Sequence, residues 1–375
     1  MSALAKDSLN TSPPAFFASL ANRPARIAIV RALRLGDLLC AVPTFRAIRC
    51  ALPRAHITLI GLPLAREFVR RCRFLDDYAE FPGFPGIADQ PVDPKRTVAF
   101  LTITQHRRLD LAIQLHGSGV FSNPFTRLLG ARHTIGFTRL GETDLGLDFA
   151  IPYPEKGREI DRLLALTHAF GAPDMGDEIE LTILPEDEAA LASHASIQRL
   201  FADGRPLFGI HPGASVATRR WAPERFAAVA DTLAARHDAH VVILGTRTEH
   251  ALCEAVRRRM RAAALNIAGQ TSLGMVAALL ARLQLLIGND SGLAHLAVAV
   301  GTSVVVIFGA AQVETWEHHE PQRYRALSIA VPCRPCALNE CPIGYQCLEG
   351  ITVAAVVAEA EHLLHGESNS LQMAR

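Results

Sequence analysis

The residues able to do chemistry gather at a few short turns, and the densest is Gly288-Asn289-Asp290-Ser291-Gly292, with His295 four residues beyond Ser291. Small and polar residues at such a turn open a helix whose first backbone N–H groups lack partners and carry partial positive charge. A phosphate or pyrophosphate fits there. His295 falls one turn into that helix on the face of Ser291; packing within a mostly apolar helix is its alternative reading. A second turn, Arg34 to Pro43, holds one glycine and Asp37 where a dinucleotide loop would carry G-x-G-x-x-G. Asp37 reads either as a helix-start carboxylate favoured by the dipole or as a general base, ionised at neutral pH with an ordinary pKa of about 3.9.

Three further clusters suit an anionic, hydroxyl-rich ligand. His211-Pro212-Gly213-Ala214-Ser215 is a strand end running into a glycine-containing loop, which permits close backbone approach. Arg219 and Arg220 follow, paired cations able to balance a diphosphate, or a surface loop before a helix that Pro223 opens and Trp221 staples. Thr246 to Glu249 places a carboxylate just past another strand, for ribose hydroxyls or simply for the first turn of a helix. Eleven arginines fall between residues 23 and 74 against two carboxylates, Asp37 and Glu67, which favours a charged acceptor although most such side chains line solvated faces. No D-x-D pair is present, so the expected chemistry is metal-independent and needs no cofactor.

The elements that position these turns alternate between strand and helix, twice over. In the first half, Arg26–Val30, His56–Ile60 and Leu109–Leu115 read as strands, and Leu38–Ala51, Leu64–Cys72 and Ile160–Phe170 as helices; Thr97–Thr102 fits either. In the second half, strands are expected at Leu207–His211, His240–Leu244, near Asn266–Ile267, at Leu285–Ile287 and at Ser303–Phe308. Helices are expected from Pro223, from Thr248, at Leu273–Leu283 and at Leu293–Val300. The fold class is α/β, two Rossmann-like domains with parallel sheets facing an interdomain cleft. The boundaries drawn are a flexible leader over 1–22, a first domain over 23–185 and a second over 186–375, with the linker near residues 180 to 205.

Composition bounds the rest. At 375 residues, 49% hydrophobic and 20% charged, the chain supports two ordinary cores. A net charge of +1 argues against general nucleic-acid binding. No apolar run approaches a membrane span and Met1 to Asn22 lacks the apolar core of a signal peptide, which places the protein in the cytoplasm. Its eight cysteines are then thiols or ligands rather than disulfides. Cys333, Cys336, Cys341 and Cys347, spaced C-x2-C-x4-C-x5-C, are candidates for a structural metal, though no second C-x2-C is present; free thiols are the alternative.

Taken together, Gly36-Asp37 with Pro43, His211 to Ala214, Arg219 to Phe226 and Asn289 to His295 resemble glycosyltransferase family 9, the bacterial lipopolysaccharide heptosyltransferases. The resemblance runs from about Arg26 to Leu364. It implies the GT-B architecture, with the acceptor on the first domain and a nucleotide sugar on the second. The implied donor is ADP-L-glycero-D-manno-heptose, and the implied acceptor is Kdo-lipid A or its heptosylated form, reached peripherally at the inner membrane. It makes Asp37 the base of an inverting transfer, puts Asp290, Ser291, Gly292 and His295 at the diphosphate and sugar, and puts Glu249 near the ribose. Where the family usually has a lysine, two residues before the tryptophan, this chain has Arg219, which keeps the charge but spreads it over a fork. Acceptor choice is expected in the loops Phe81 to Arg96 and Gly117 to Pro124. The competing readings are a nucleotide-sugar epimerase, a non-catalytic nucleotide-sugar-binding protein, and a family member with another sugar or acceptor.

Overall fold

A computed structural model describes residues 13–87, 90–139 and 146–373, with side chains to residue 365. The chain divides into two units, 1–179 and 180–375. In the first, helix α1 (Ala15–Leu20) leads into β1 (Arg26–Val30), α2 (Leu35–Cys40), α3 (Val42–Ala51), β2 (His56–Gly61), α4 (Ala65–Val69) and β3 (Asp77–Glu80). Then come α5 (Pro94–His106), β4 (Leu111–Gln114), α6 (Ser122–Leu128), β5 (His133–Thr138), β6 (Phe149–Pro152) and α7 (Glu159–Ala169). The sheet order is β3-β2-β1-β4-β5-β6, every pair parallel. β1, β2 and β4 are buried almost throughout, as strands covered by helices on both faces must be.

The second unit holds α8 (Pro185–Ser193), α9 (Ala195–Phe201), β7 (Leu207–His211), α10 (Pro223–His237), β8 (His240–Ile243), α11 (His250–Arg257), β9 (Ala264–Asn266) and α12 (Leu273–Leu280). It continues through β10 (Leu285–Asn289), α13 (Gly292–Ala299), β11 (Val304–Ile307), α14 (Val313–Trp316), β12 (Tyr324–Leu327), α15 (Gln346–Glu349) and α16 (Val353–Met373). Its sheet order, β12-β11-β10-β7-β8-β9, repeats that of the first unit, again all parallel. In each sheet the chain works outward from a central strand and then returns to that strand's other side. The carboxyl ends of β1 and β4, and of β7 and β10, are therefore the switch points at which open parallel sheets bind ligands.

Several expectations are corrected. The helix expected from Leu38 to Ala51 is two helices that part at Ala41, and the first begins at Leu35, which places Asp37 inside its first turn. The ambiguous Thr97–Thr102 is the middle of α5. Residues 180–205, expected as a linker, fold mostly into α8 and α9; Arg282, in the turn after α12, bridges Glu188 at 2.5 Å, fastening α8 to the second unit. The leader's residues 1–12 lie outside the described residues, but its end is docked: Phe17 and Leu20 of α1 are buried, and Phe17 packs on Phe170 with ring centroids 4.6 Å apart. α6, β3, β5, β6, β12 and α16 were not anticipated. α16 buries Val356, Val357, Ala360 and Leu363, a helical spacing legible in hindsight.

Candidate functional site

At the switch point of the second sheet, parallel register sets Gly288 beside His211. A Cβ on Gly288 would come within 3.2 Å of the His211 side chain, so the glycine makes room for the imidazole. Asn289, fully buried, accepts from the Trp221 N–H (3.0 Å) and donates to the Pro212 carbonyl (2.8 Å). One amide thus ties together three of the motifs picked out above. Trp221, 1% exposed, meets Phe226 edge-on at 5.1 Å and donates to the Ile351 carbonyl, the staple foreseen for it.

Ser291 is the cap position of α13 by its extended backbone, yet its hydroxyl turns to His211, 3.2 Å from Nδ1. The other imidazole nitrogen faces Glu249 at 3.7 Å. That carboxylate also accepts from the N–H and hydroxyl of Thr246, each at 2.8 Å. His211, helped by Thr246, holds Glu249 at about 2 against partial burial. A Cβ at Gly213 would stand 2.1 Å from Glu249 Oε1, so a side chain here would push the Glu249 carboxylate from its present place. Glu249 thus accepts from the Thr246 N–H as a helix-start carboxylate does, and the same carboxylate faces His211.

Arg219 reaches Asp290 at 3.2 Å, and Arg220 donates to the Ala214 carbonyl at 2.9 Å. Asp290 is 4% exposed, Arg219 one-third exposed and Ser215 exposed on the loop beyond Ala214. Gly292 opens α13, where its N–H and those that follow face the turn. Of the residues expected to bind ligand, His211, Gly213, Thr246, Glu249, Arg219, Arg220, Asp290, Ser291 and Gly292 come together here. His295 lies one turn deeper, 5% exposed, with Nδ1 2.8 Å from His318 Nε2; burial pushes it down to about 4 and keeps it neutral. His318, which lies between α14 and β12, has no sequence signal and was missed.

The first sheet's switch point holds Asp37. Its carboxylate accepts from the Arg34 N–H at 3.2 Å. Arg31, fully buried, donates to the Asp37 and Leu115 carbonyls and to Glu159 at 3.1 Å, with Tyr153 donating to the other Glu159 oxygen at 3.0 Å. Burial raises the Asp37 carboxyl above its usual range; Arg31 opposes and Glu159 adds to the rise. The ordinary value expected from sequence is thus corrected: this carboxylate is a stronger base. His116, two residues past the end of β4, is pushed down to about 4 by burial and Arg31. Many of the first unit's arginines serve the framework rather than a ligand: Arg23 pairs with Asp110, Arg49 with Asp76 and Arg71 with Glu67.

Of the four late cysteines, Cys333 is exposed, Cys336 and Cys341 are half-buried and Cys347 is buried. Cys341 accepts the Tyr345 N–H at 3.2 Å. Among the described residues, no group of three or more His, Cys, Asp or Glu side chains is placed to hold a metal ion. Among the same residues, no helix is long and apolar enough to cross a membrane.

The description "glycosyltransferase family 9 (heptosyltransferase)" matches residues 103–346. Lipooligosaccharide heptosyltransferase 2 of Campylobacter jejuni is 26% identical over 171 residues, 44% of this chain and 53% of that protein. The chain spans about half the length of the curated relatives of this kind that it matches. A solved family 9 glycosyltransferase from Veillonella parvula superposes with a TM-score of 0.79 at 21% identity, covering 91% of this chain and 97% of that one. The Escherichia coli ADP-heptose lipopolysaccharide heptosyltransferase II gives 0.71 at 19% identity, covering 92% and 99%. These likenesses carry the fold, two Rossmann-like units of the GT-B class. With the motifs at both switch points and a family match over most of the chain, this protein belongs to glycosyltransferase family 9.

Proposed function

We propose that this chain is an inverting glycosyltransferase moving a heptose from ADP-L-glycero-D-manno-heptose to the lipopolysaccharide inner core, Kdo-lipid A or its heptosylated form. The observation that carries this reading is the cluster at the second switch point, where a helix start, two arginines and a ribose-ready carboxylate surround one turn. The second unit binds the donor and the first binds the acceptor. Arg219, Arg220, the Ser291 hydroxyl and the α13 N–H groups take the diphosphate, doing the work a metal does in other transferases. Glu249 takes the ribose hydroxyls. A carboxylate would repel the diphosphate, so Asp290 orients Arg219 and accepts from sugar hydroxyls. Asp37 removes the acceptor hydroxyl proton as that oxygen bonds to the anomeric carbon. The carbon–phosphate oxygen bond breaks on the opposite face, and ADP leaves with the bonding pair. The protein works in the cytoplasm, peripherally at the inner face of the membrane that carries its acceptor.

The test is ADP release from ADP-heptose with and without Kdo-lipid A, against UDP- and GDP-sugar controls, for the native chain and Asp37→Ala. Acceptor-dependent release that collapses in the variant supports the reading. Nucleotide binding without turnover for any pair rejects it in favour of a binding role.

A further inference from the structure

Five of the ten large hydrophobic side chains most exposed among the described residues lie between positions 92 and 128 of the first unit. They are Val92 (46%), Val98 (64%), Ile103 (60%), Phe121 (55%) and Leu128 (45%). Val98 and Ile103 stand on α5; Phe121 and Leu128 bracket α6. The two helices are neighbours, since Gln105 donates to the Leu128 carbonyl at 2.8 Å and Phe100 stacks near Phe125 with centroids 6.1 Å apart. The core side of α5 is set by buried Thr97 and Thr104. Opposite them, its outward ridge reads Val98, Ala99, Thr102 and Ile103, with Lys95 and His106 at its two ends. Thr102 bonds its hydroxyl back to the Val98 carbonyl at 2.9 Å.

Cations outnumber carboxylates around this ridge. Residues 92–139 contain seven Lys and Arg against Asp93 and Asp110; Asp110 pairs with Arg23 at 2.7 Å, and Arg96 and Arg107 pair with Glu80 and Asp77 of β3. An uncharged ridge with Lys95 at one end and Arg108 just past the other matches a helix lying in the headgroup plane, its long basic side chains reaching lipid phosphates. Isolated exposed apolar residues need no explanation, but a clustered set beside a basic field does.

We infer that the outer face of α5 and α6 docks on an anionic lipid surface. The inference gives the lipid-linked acceptor reading a place on the molecule and rests on it for its purpose, but lipid binding is measured without turnover. The experiment floats the full chain with vesicles of phosphatidylcholine alone or with phosphatidylglycerol, comparing Val98→Asp/Ile103→Asp and Lys95→Glu/Arg108→Glu. Expected is flotation only with phosphatidylglycerol, weakened by salt, and reduced about tenfold or more in both variants at unchanged melting temperature. Native protein that fails to float, or variants that float as well as native, overturns the inference. So does light scattering that shows a dimer lost in Val98→Asp/Ile103→Asp, which would make the face a contact between copies. ADP release with a delipidated acceptor is run alongside: flotation with no transfer for any donor rejects the transferase reading and leaves the docking face standing.

Discussion

Asp37 carries the sharpest residue-level consequence of the fold, because its burial separates catalysis from stability. A carboxyl raised in the folded state contributes most when protonated, below its unfolded value, and that contribution is lost as pH rises through the folded value. Ionised Asp37 is therefore a cost to the native state at neutral pH. Asp37→Asn keeps an acceptor for the Arg34 N–H and should not lower the melting temperature, while the transfer rate falls about 100- to 10,000-fold. The native acid limb should inflect above about 4, the ordinary aspartate range; a rate profile flat down to that pH would remove Asp37 from the role of base. Glu249 has the opposite sign. Held at about 2, it contributes stability that is present above its ordinary 4.5 and lost as pH falls toward the folded value. Glu249→Gln should cost about 1 kcal/mol, flatten the acid-side loss of stability, and weaken ADP binding. Calorimetry of ADP binding together with melting curves between pH 3 and 7 checks all three.

At the scale of elements, Asn289 converts three sequence-distant turns into one surface. Replacing it with leucine leaves the Trp221 N–H and the Pro212 carbonyl buried without that partner, a loss of about 2 to 4 kcal/mol. Asn289→Leu should therefore lower melting temperature and ADP affinity together; loss of affinity alone would make the side chain a ligand contact rather than a brace. β1 and β7 were legible to the residue because each is a short, mainly apolar run, as the buried strands of a covered parallel sheet are. β3, with Asp77 and Glu80 at its ends, is a half-buried edge strand and lacks that signature. Residues 180–205 misled through their acidic and glycine-proline punctuation, which here starts and ends two short helices. Asp37 and the Asn289–His295 turn were legible because helix starts need particular residues. The pairing of His318 with His295 and the nearness of His116 to Arg31 were not, because they depend on which neighbours the fold supplies.

For the whole molecule, one strand order serves twice, and each copy presents its motif at the same topological place. The proposed division of labour between the two copies is measurable through linkage. A ligand that binds only the folded protein stabilises it by about 2.7 kcal/mol at a hundred times its dissociation constant. If the second unit alone holds the nucleotide, ADP should raise the melting temperature of the native chain and of Asp37→Asn by the same amount, although the variant turns over almost nothing. Arg219→Ala and Glu249→Gln should shrink the shift, because each removes a group from the second switch point. UDP and GDP, which share the diphosphate and ribose but not the base, report whether selectivity extends beyond that cradle. A shift abolished by Asp37→Asn and untouched by Arg219→Ala would move the nucleotide to the first sheet and reverse the assignment of donor and acceptor between the two units.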